Sequence, residues 1–215
     1  IFMLNITGES NEVHKGDCLQ LLPKLPDALA DFILTDPPYI TNYRSRDRRS
    51  VPNDNNDAWL KPAFAELYRV LKPDSFAVSF YGWPKADLFL TAFREAGFRV
   101  VGHFVFPKRY TSKTRHVRYQ HEAAYLLAKG DPALPCAPLP DVQGWRYTGN
   151  RLHPTQKPVV ILRPLVRAFT PAGGLVLDPF CGSGSSLVAA NDEGRDFLGI
   201  ELDYQHWRTA RRRLA

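Results

Sequence analysis

The chain has 215 residues, 44% of them hydrophobic, and a formal net charge of +6. That length holds one large domain able to bury a core without staples, and no apolar run reaches the roughly 20 residues of a membrane helix. Cys18, Cys136 and Cys181 are odd in number and scattered, which argues against a disulfide framework, and no Cys or His stands at zinc-site spacing. With no signal-peptide pattern at its start, the chain is expected to be cytoplasmic, without a structural metal.

In chain order, the apolar runs predict strands at 12–15, 31–35, 75–81, 99–106, 122–128, 174–178 and 196–201. Helical patterns fall between and after them, at 18–25, 58–71, 83–96, 156–169, 185–193 and 204–214. This alternation predicts an α/β domain with a mainly parallel sheet. Residues 40–57, polar and rich in Asn, read as a loop, and the proline-rich 131–150 stretch reads as a loop or small inserted element. No internal repeat or linker divides the chain.

The basic excess is clustered. Lys108, Arg109, Lys113, Arg115 and Arg118 fall within eleven residues that contain no acid. Arg44, Arg46, Arg48 and Arg49 form a second group, and Arg211, Arg212 and Arg213 a third. A charge run is usually a solvated face, but two clusters in loop-like sequence favour a polyanionic partner such as nucleic acid.

Asp36-Pro37-Pro38-Tyr39 follows the apolar run Phe32-Ile33-Leu34-Thr35. A carboxylate at a strand exit precedes two residues with fixed φ and no N–H, so the carbonyls of the turn stay free as acceptors. With the ring of Tyr39 beside them, these groups suit a flat substrate carrying an exocyclic amine. The same four residues also make an ordinary turn, so the motif alone leaves both readings open.

A second motif lies far along the chain. Gly174-Leu175-Val176-Leu177-Asp178 ends a strand, Cys181-Gly182-Ser183-Gly184 supplies a glycine turn, and a helix starts near Ser185. Glycines beside a helix N-terminus allow close approach of a nucleotide-type cofactor. No Lys follows the glycines and a third Gly is missing, which excludes a phosphate loop and the dinucleotide fingerprint. Glu201, about twenty residues on at the next strand end, is placed to hold the hydroxyls of a ribose. Asp17, after the first strand, suits either an adenine amino group or a helix N-cap.

With these residues in order, the chain resembles the S-adenosylmethionine-dependent DNA amino-methyltransferases, in particular the β-type, circularly permuted group. GDCLQLLPKLPD at 16–27, DPPY at 36–39, HPTQKP at 153–158, DPFCGSGS at 178–185 and GIELD at 199–203 carry the resemblance across nearly the whole chain. It implies a Rossmann-like sheet of seven strands, the last antiparallel, with helices on both faces and the chain ends close together. Residues 1–215 would form a single methyltransferase domain, with a small target-recognition insertion within 105–150.

The resemblance also assigns roles. Asp36 and the Pro37 carbonyl would accept hydrogen bonds from the target amine, with Pro38 stiffening the turn and Tyr39 stacking on a flipped base. Asp17, Cys18, Asp36, Thr155, Lys157, Asp178, Phe180, Cys181, Gly182, Ser183, Gly184, Glu201 and Leu202 would surround S-adenosyl-L-methionine. Of these, Thr155 and Lys157 would lie near its methionine end, and His153 would position or pack. Arg44, Arg46, Lys108, Arg109, Lys113, Arg115 and Arg118 would contact DNA. DPPY more often accompanies adenine N6 methylation in this family; cytosine N4 is the alternative, and an RNA or protein amide a more distant one. The short insertion implies a short or relaxed recognition sequence, or a homodimer that enlarges the contact.

Overall fold

A computed structural model describes residues 9–42, 52–149, 152 and 155–215. Its strands are β1 (Glu12–Lys15), β2 (Ala30–Thr35), β3 (Leu71–Phe80), β4 (Arg99–Pro107), β5 (Lys113–Thr114), β6 (Arg118–Tyr119), β7 (His121–Lys129), β8 (Leu175–Asp178) and β9 (Asp196–Glu201). Its helices are α1 (Cys18–Leu21), α2 (Leu60–Val70), α3 (Ala86–Ala96), α4 (Val159–Phe169), α5 (Ser185–Asp192) and α6 (Tyr204–Leu214).

Seven strands form one sheet in the order β1-β9-β8-β2-β3-β7-β4, and β5 and β6 make a separate short hairpin. Every neighbouring pair from β1 to β3 is parallel, whereas β7 runs antiparallel to both β3 and β4. The expectation that the last strand is antiparallel is therefore corrected for this chain order. The antiparallel strand is β7, and two parallel strands, β8 and β9, follow it. The first strand lies beside the last, and Trp207 Nε1 of α6 donates to the Val13 carbonyl at 2.8 Å. This is the adjacency of N- and C-terminal elements that a permuted order requires.

The pleat sorts the apolar residues into two cores. In β2, Ile33 packs with Leu21, Phe64 and Phe93 on the α1–α3 face, while Phe32 and Leu34 pack with Leu162, Leu165 and Val166 of α4 on the other. Each of these buried side chains contributes about 1.5–3 kcal/mol. Because both faces are covered, β2 and β8 read as continuous apolar runs.

Chain direction then decides where chemistry gathers. From β8 the chain crosses to β9, and from β2 it crosses to β3 on the opposite side, so the β8–β2 junction is the switch point of the sheet. The carboxyl ends of β1, β2, β8 and β9 share one edge, delivering Asp17, Asp36, Asp178 and Glu201 to the same crevice.

Candidate active site

On the β8 side, the glycine turn is held by buried carboxylates. Asp178 accepts from Thr35 Oγ1 at 2.8 Å, from the Phe180 N–H at 3.0 Å and from Ser186 Oγ. Burial pushes this carboxyl up to about 6, against those hydrogen bonds. Its oxygens are thus committed to the fold, and Thr35 ties the strand carrying Asp36 directly to the turn. Glu201 accepts from the Gly182 N–H at 2.8 Å and the Asp203 N–H at 2.7 Å, and burial pushes it up to about 7.

Gly184 adopts φ 79°, and a Cβ there would stand 3.0 Å from that of Ala210 in α6. It serves helix packing and does not line either cleft described below. Arg213 donates to the Ser183 carbonyl at 2.6 Å, so one arginine of the C-terminal cluster is a clamp on the turn. Burial raises both nearby thiols, Cys18 to about 12 and Cys181 well above its ordinary value, which leaves them as packing groups.

A cleft of about 810 Å³, open to solvent, runs between these elements; it is lined by Asp17, Cys18, Asp36, Pro37, Pro38, Tyr39, Thr155, Phe180, Gly182, Glu201 and Leu202. A second hollow of about 420 Å³ shares Asp36, Thr155, Phe180 and Gly182 with it and adds Lys157, Asp178, Cys181 and Ser183. The expected cofactor residues, Gly184 apart, thus meet around one continuous space. Asp17 also caps α1 by accepting from the Leu19 N–H at 2.9 Å, so the capping role is realised at the cleft wall. The loop at 52–57 contributes too: Pro52, Asn53 and Asp54 line the cleft, and Trp59 binds the Asn53 and Asn56 carbonyls while its ring meets Phe180 edge-on at 5.1 Å.

On the β2 side lies a compact ionic group. Lys157 Nζ is 2.6 Å from Asp36 Oδ2 and 3.1 Å from Tyr39 OH, and it sits over the rings of Tyr39 and Phe80. Tyr39 OH is 2.9 Å from Asp36 Oδ1 and 3.2 Å from Glu122 Oε2, and Lys108 pairs with Glu122 Oε1. Burial raises Asp36, and Lys157 offsets this only in part. Burial also opposes ionisation of Glu122, but Lys157 and Lys108 carry it below the ordinary carboxylate value. Gly82 leaves room for Tyr39, whose Cβ would be only 2.8 Å from a Cβ at position 82.

Two assignments change. Lys108 is not a surface phosphate contact: its side chain is 6% exposed and faces inward to Glu122, because β4 delivers it to the catalytic edge. Lys157 has Asp36 as its nearest ionic partner, so its place is the amine side of the cleft. Arg109, Lys113, Arg115 and Arg118 are exposed on and around the β5–β6 hairpin, as a nucleic-acid contact requires. Beside them Trp83, 58% exposed, stacks on Tyr119 with centroids 5.8 Å apart. Arg44, Arg46 and His153 lie outside the described residues.

Glu122 escaped the sequence reading because that reading sought acids at the carboxyl ends of parallel strands. Glu122 lies near the amino end of antiparallel β7, which reaches the same edge from the other direction. The sole signal was an acid opening an apolar strand.

Fold and cleft together define a methyltransferase of Rossmann-like architecture. Residues 30–212 match the N6/N4 methyltransferase family model, described as DNA methylase, and the chain belongs to that family. YubD of Escherichia coli (strain K12) is 55% identical over 94% of this chain and 88% of its own length. Among solved structures, the DNA modification methylase TTHA0409 of Thermus thermophilus, complexed with S-adenosyl-L-methionine, is similar with a TM-score of 0.74 and 23% identity. That match covers 95% of this chain and 93% of the other. PvuII DNA methyltransferase, described as cytosine-N4-specific, matches with a TM-score of 0.77 and 18% identity, covering 96% and 87%.

Proposed function

We propose that this DNA methyltransferase modifies adenine N6 of a base flipped out of the helix, with S-adenosyl-L-methionine as methyl donor. The observation that carries the reading is the position of Asp36 in a cleft shared with the glycine turn, coupled to that turn through Thr35 and Asp178. The residues fit the donor: Glu201 offers a buried carboxylate for paired hydroxyls, Asp17 an acceptor for an adenine edge, and Phe180 an apolar wall. When bound, the donor supplies an activated methyl group on a sulfonium.

The protein's part is orientation and charge. An exocyclic amine is a poor nucleophile because its lone pair is delocalised into the ring. Accepting its two N–H bonds at Asp36 and the Pro37 carbonyl favours a tetrahedral nitrogen and localises that pair for in-line attack. The nucleophile belongs to the substrate, so no covalent protein intermediate forms. A duplex base cannot enter this cleft while stacked, hence flipping. Arg109, Lys113, Arg115 and Arg118, with the Trp83–Tyr119 plate, supply phosphate contacts and a stacking surface on the same side of the sheet. Residues 105–150, which hold the hairpin, would then form the target-recognition element of a single methyltransferase domain.

Adenine is favoured over cytosine by Asp at the first motif position. Cytosine N4 presents the same donors and is the second reading. Nucleoside mass spectrometry of DNA methylated by the purified protein separates them: N6-methyladenine is expected, and N4-methylcytosine alone would overturn the base assignment. Asp36→Ala is expected to lose methyl transfer by about 10²–10³-fold or more while still binding the donor by calorimetry. Full activity in that variant would sink the mechanism.

A further inference from the structure

The ammonium of Lys157 stands where the proposed reaction requires another amine. It donates to Asp36 Oδ2 at 2.6 Å, and its side chain is 5% exposed. A target amino group entering to donate to the same carboxylate competes for that seat. Lys157 cannot simply leave, because a buried ammonium stripped of its partner costs several kcal/mol. A second carboxylate is at hand: Glu122 Oε2 is 4.0 Å from Nζ, about 1 Å beyond a hydrogen bond.

The group contains two lysines and two carboxylates, so its net charge is the same whichever acid Lys157 faces. Glu122 is kept ready for it. Lys108 neutralises Oε1, Tyr39 OH approaches Oε2, and the lysines hold the carboxyl ionised against burial. The lysine side chain is long and flexible enough to swing this distance without backbone movement.

We infer that Lys157 occupies the amine seat on Asp36 until the target base enters, and that Glu122 is the second berth to which its ammonium then moves. Lys157 and Glu122 are thus positioning residues for the amine. The inference rests on the reading that Asp36 holds the target amino group. It carries a selectivity consequence: a base without an exocyclic amine has nothing with which to replace the ammonium.

A double-mutant cycle tests it, with Glu122→Gln, Lys157→Met and the pair. Glu122→Gln is expected to lower kcat at least about tenfold, with donor affinity unchanged, but to cost under about twofold in the Lys157→Met background. Equal cost in both backgrounds overturns the inference. Lys157→Met is also expected to move the acid limb of kcat/KM upward by about 1–3 pH units. Asp36 then faces Tyr39, Glu122 with its partner Lys108, and Asp178, with no adjacent cation. An unmoved limb overturns the inference as well.

A measurement on the wild-type protein needs neither turnover nor a folded variant. In ¹⁵N spectra of the lysine ammonium groups, millimolar deoxyadenosine is expected to shift the Lys157 signal, whereas the purine deoxynucleoside lacking the amino group leaves it in place. The same response to both, or to neither, overturns the berth. Absence of methyl transfer to any DNA would overturn the functional reading instead, whatever the spectra show.

Discussion

Glu201 illustrates how one side chain carries both structure and ligand linkage. Its oxygens accept two backbone N–H groups, from Gly182 and Asp203, while burial holds its carboxyl at about 7 against an ordinary 4.5. Between those values the folded chain binds more protons than the unfolded one, so this group's contribution is full below pH 4.5 and is lost as pH rises through 7. The loss is on the order of 3 kcal/mol at most. Asp178, raised to about 6, acts in the same sense. Hydroxyl donors from a bound ribose favour the ionised form, so donor affinity is expected to rise from pH 6 to pH 8 with release of a proton. Calorimetry in buffers of different ionisation enthalpy reads that proton directly, and affinity independent of pH would contradict the assignment. Glu201→Gln puts an amide donor against one of two backbone donors. It is expected to lose about 1–3 kcal/mol of stability in urea unfolding and to flatten the pH dependence.

At the scale of elements, the glycine turn depends on α6 as much as on its own strand. Gly184 combines φ 79° with a Cβ position 3.0 Å from that of Ala210, so Gly184→Ala is expected to cost about 1–3 kcal/mol in urea unfolding and to weaken donor binding. Gly144→Ala is the control: a Cβ there meets nothing within 4 Å, and the change should stay within about 0.5 kcal/mol. The long elements were legible because period and length agreed. The readings at 12–15, 196–201 and 204–214 coincide with β1, β9 and α6. The start of β3 was not, because Lys72-Pro73-Asp74 carries turn chemistry; the strand instead begins at Leu71 opposite Ala30 and shifts register before Phe76. The β5–β6 hairpin has two residues per strand, too few to impose a period of two.

Across the whole molecule, the sequence motifs located the cleft, but the charges around it divided in ways that only folding decides. Asp36 and Glu201 were legible because parallel strands deliver their carboxyl ends together, whereas Glu122 and the inward turn of Lys108 depend on an antiparallel strand between β3 and β4. The same sorting separates the basic clusters. Lys113, Arg115 and Arg118 stand exposed beyond β4 at one end of the sheet, while α6, with Arg211 and Arg212, packs at the other, against β1. If the hairpin tracks phosphates, neutralising its three cations removes up to three counterion-releasing contacts. The slope of log K against log salt should then become shallower by about 0.9 per contact, or roughly 3 in all. The Lys113→Gln, Arg115→Gln, Arg118→Gln variant is therefore expected to bind duplex DNA more weakly and with that reduced slope in anisotropy titrations at several salt concentrations. Its donor affinity should be unchanged. Arg211→Gln with Arg212→Gln lowers net charge by two without touching the hairpin, and its slope should match that of the unaltered protein. If both variants lost slope in proportion to charge alone, DNA would be held by the general field of the molecule, and the hairpin would have no special part in placing a base at Asp36.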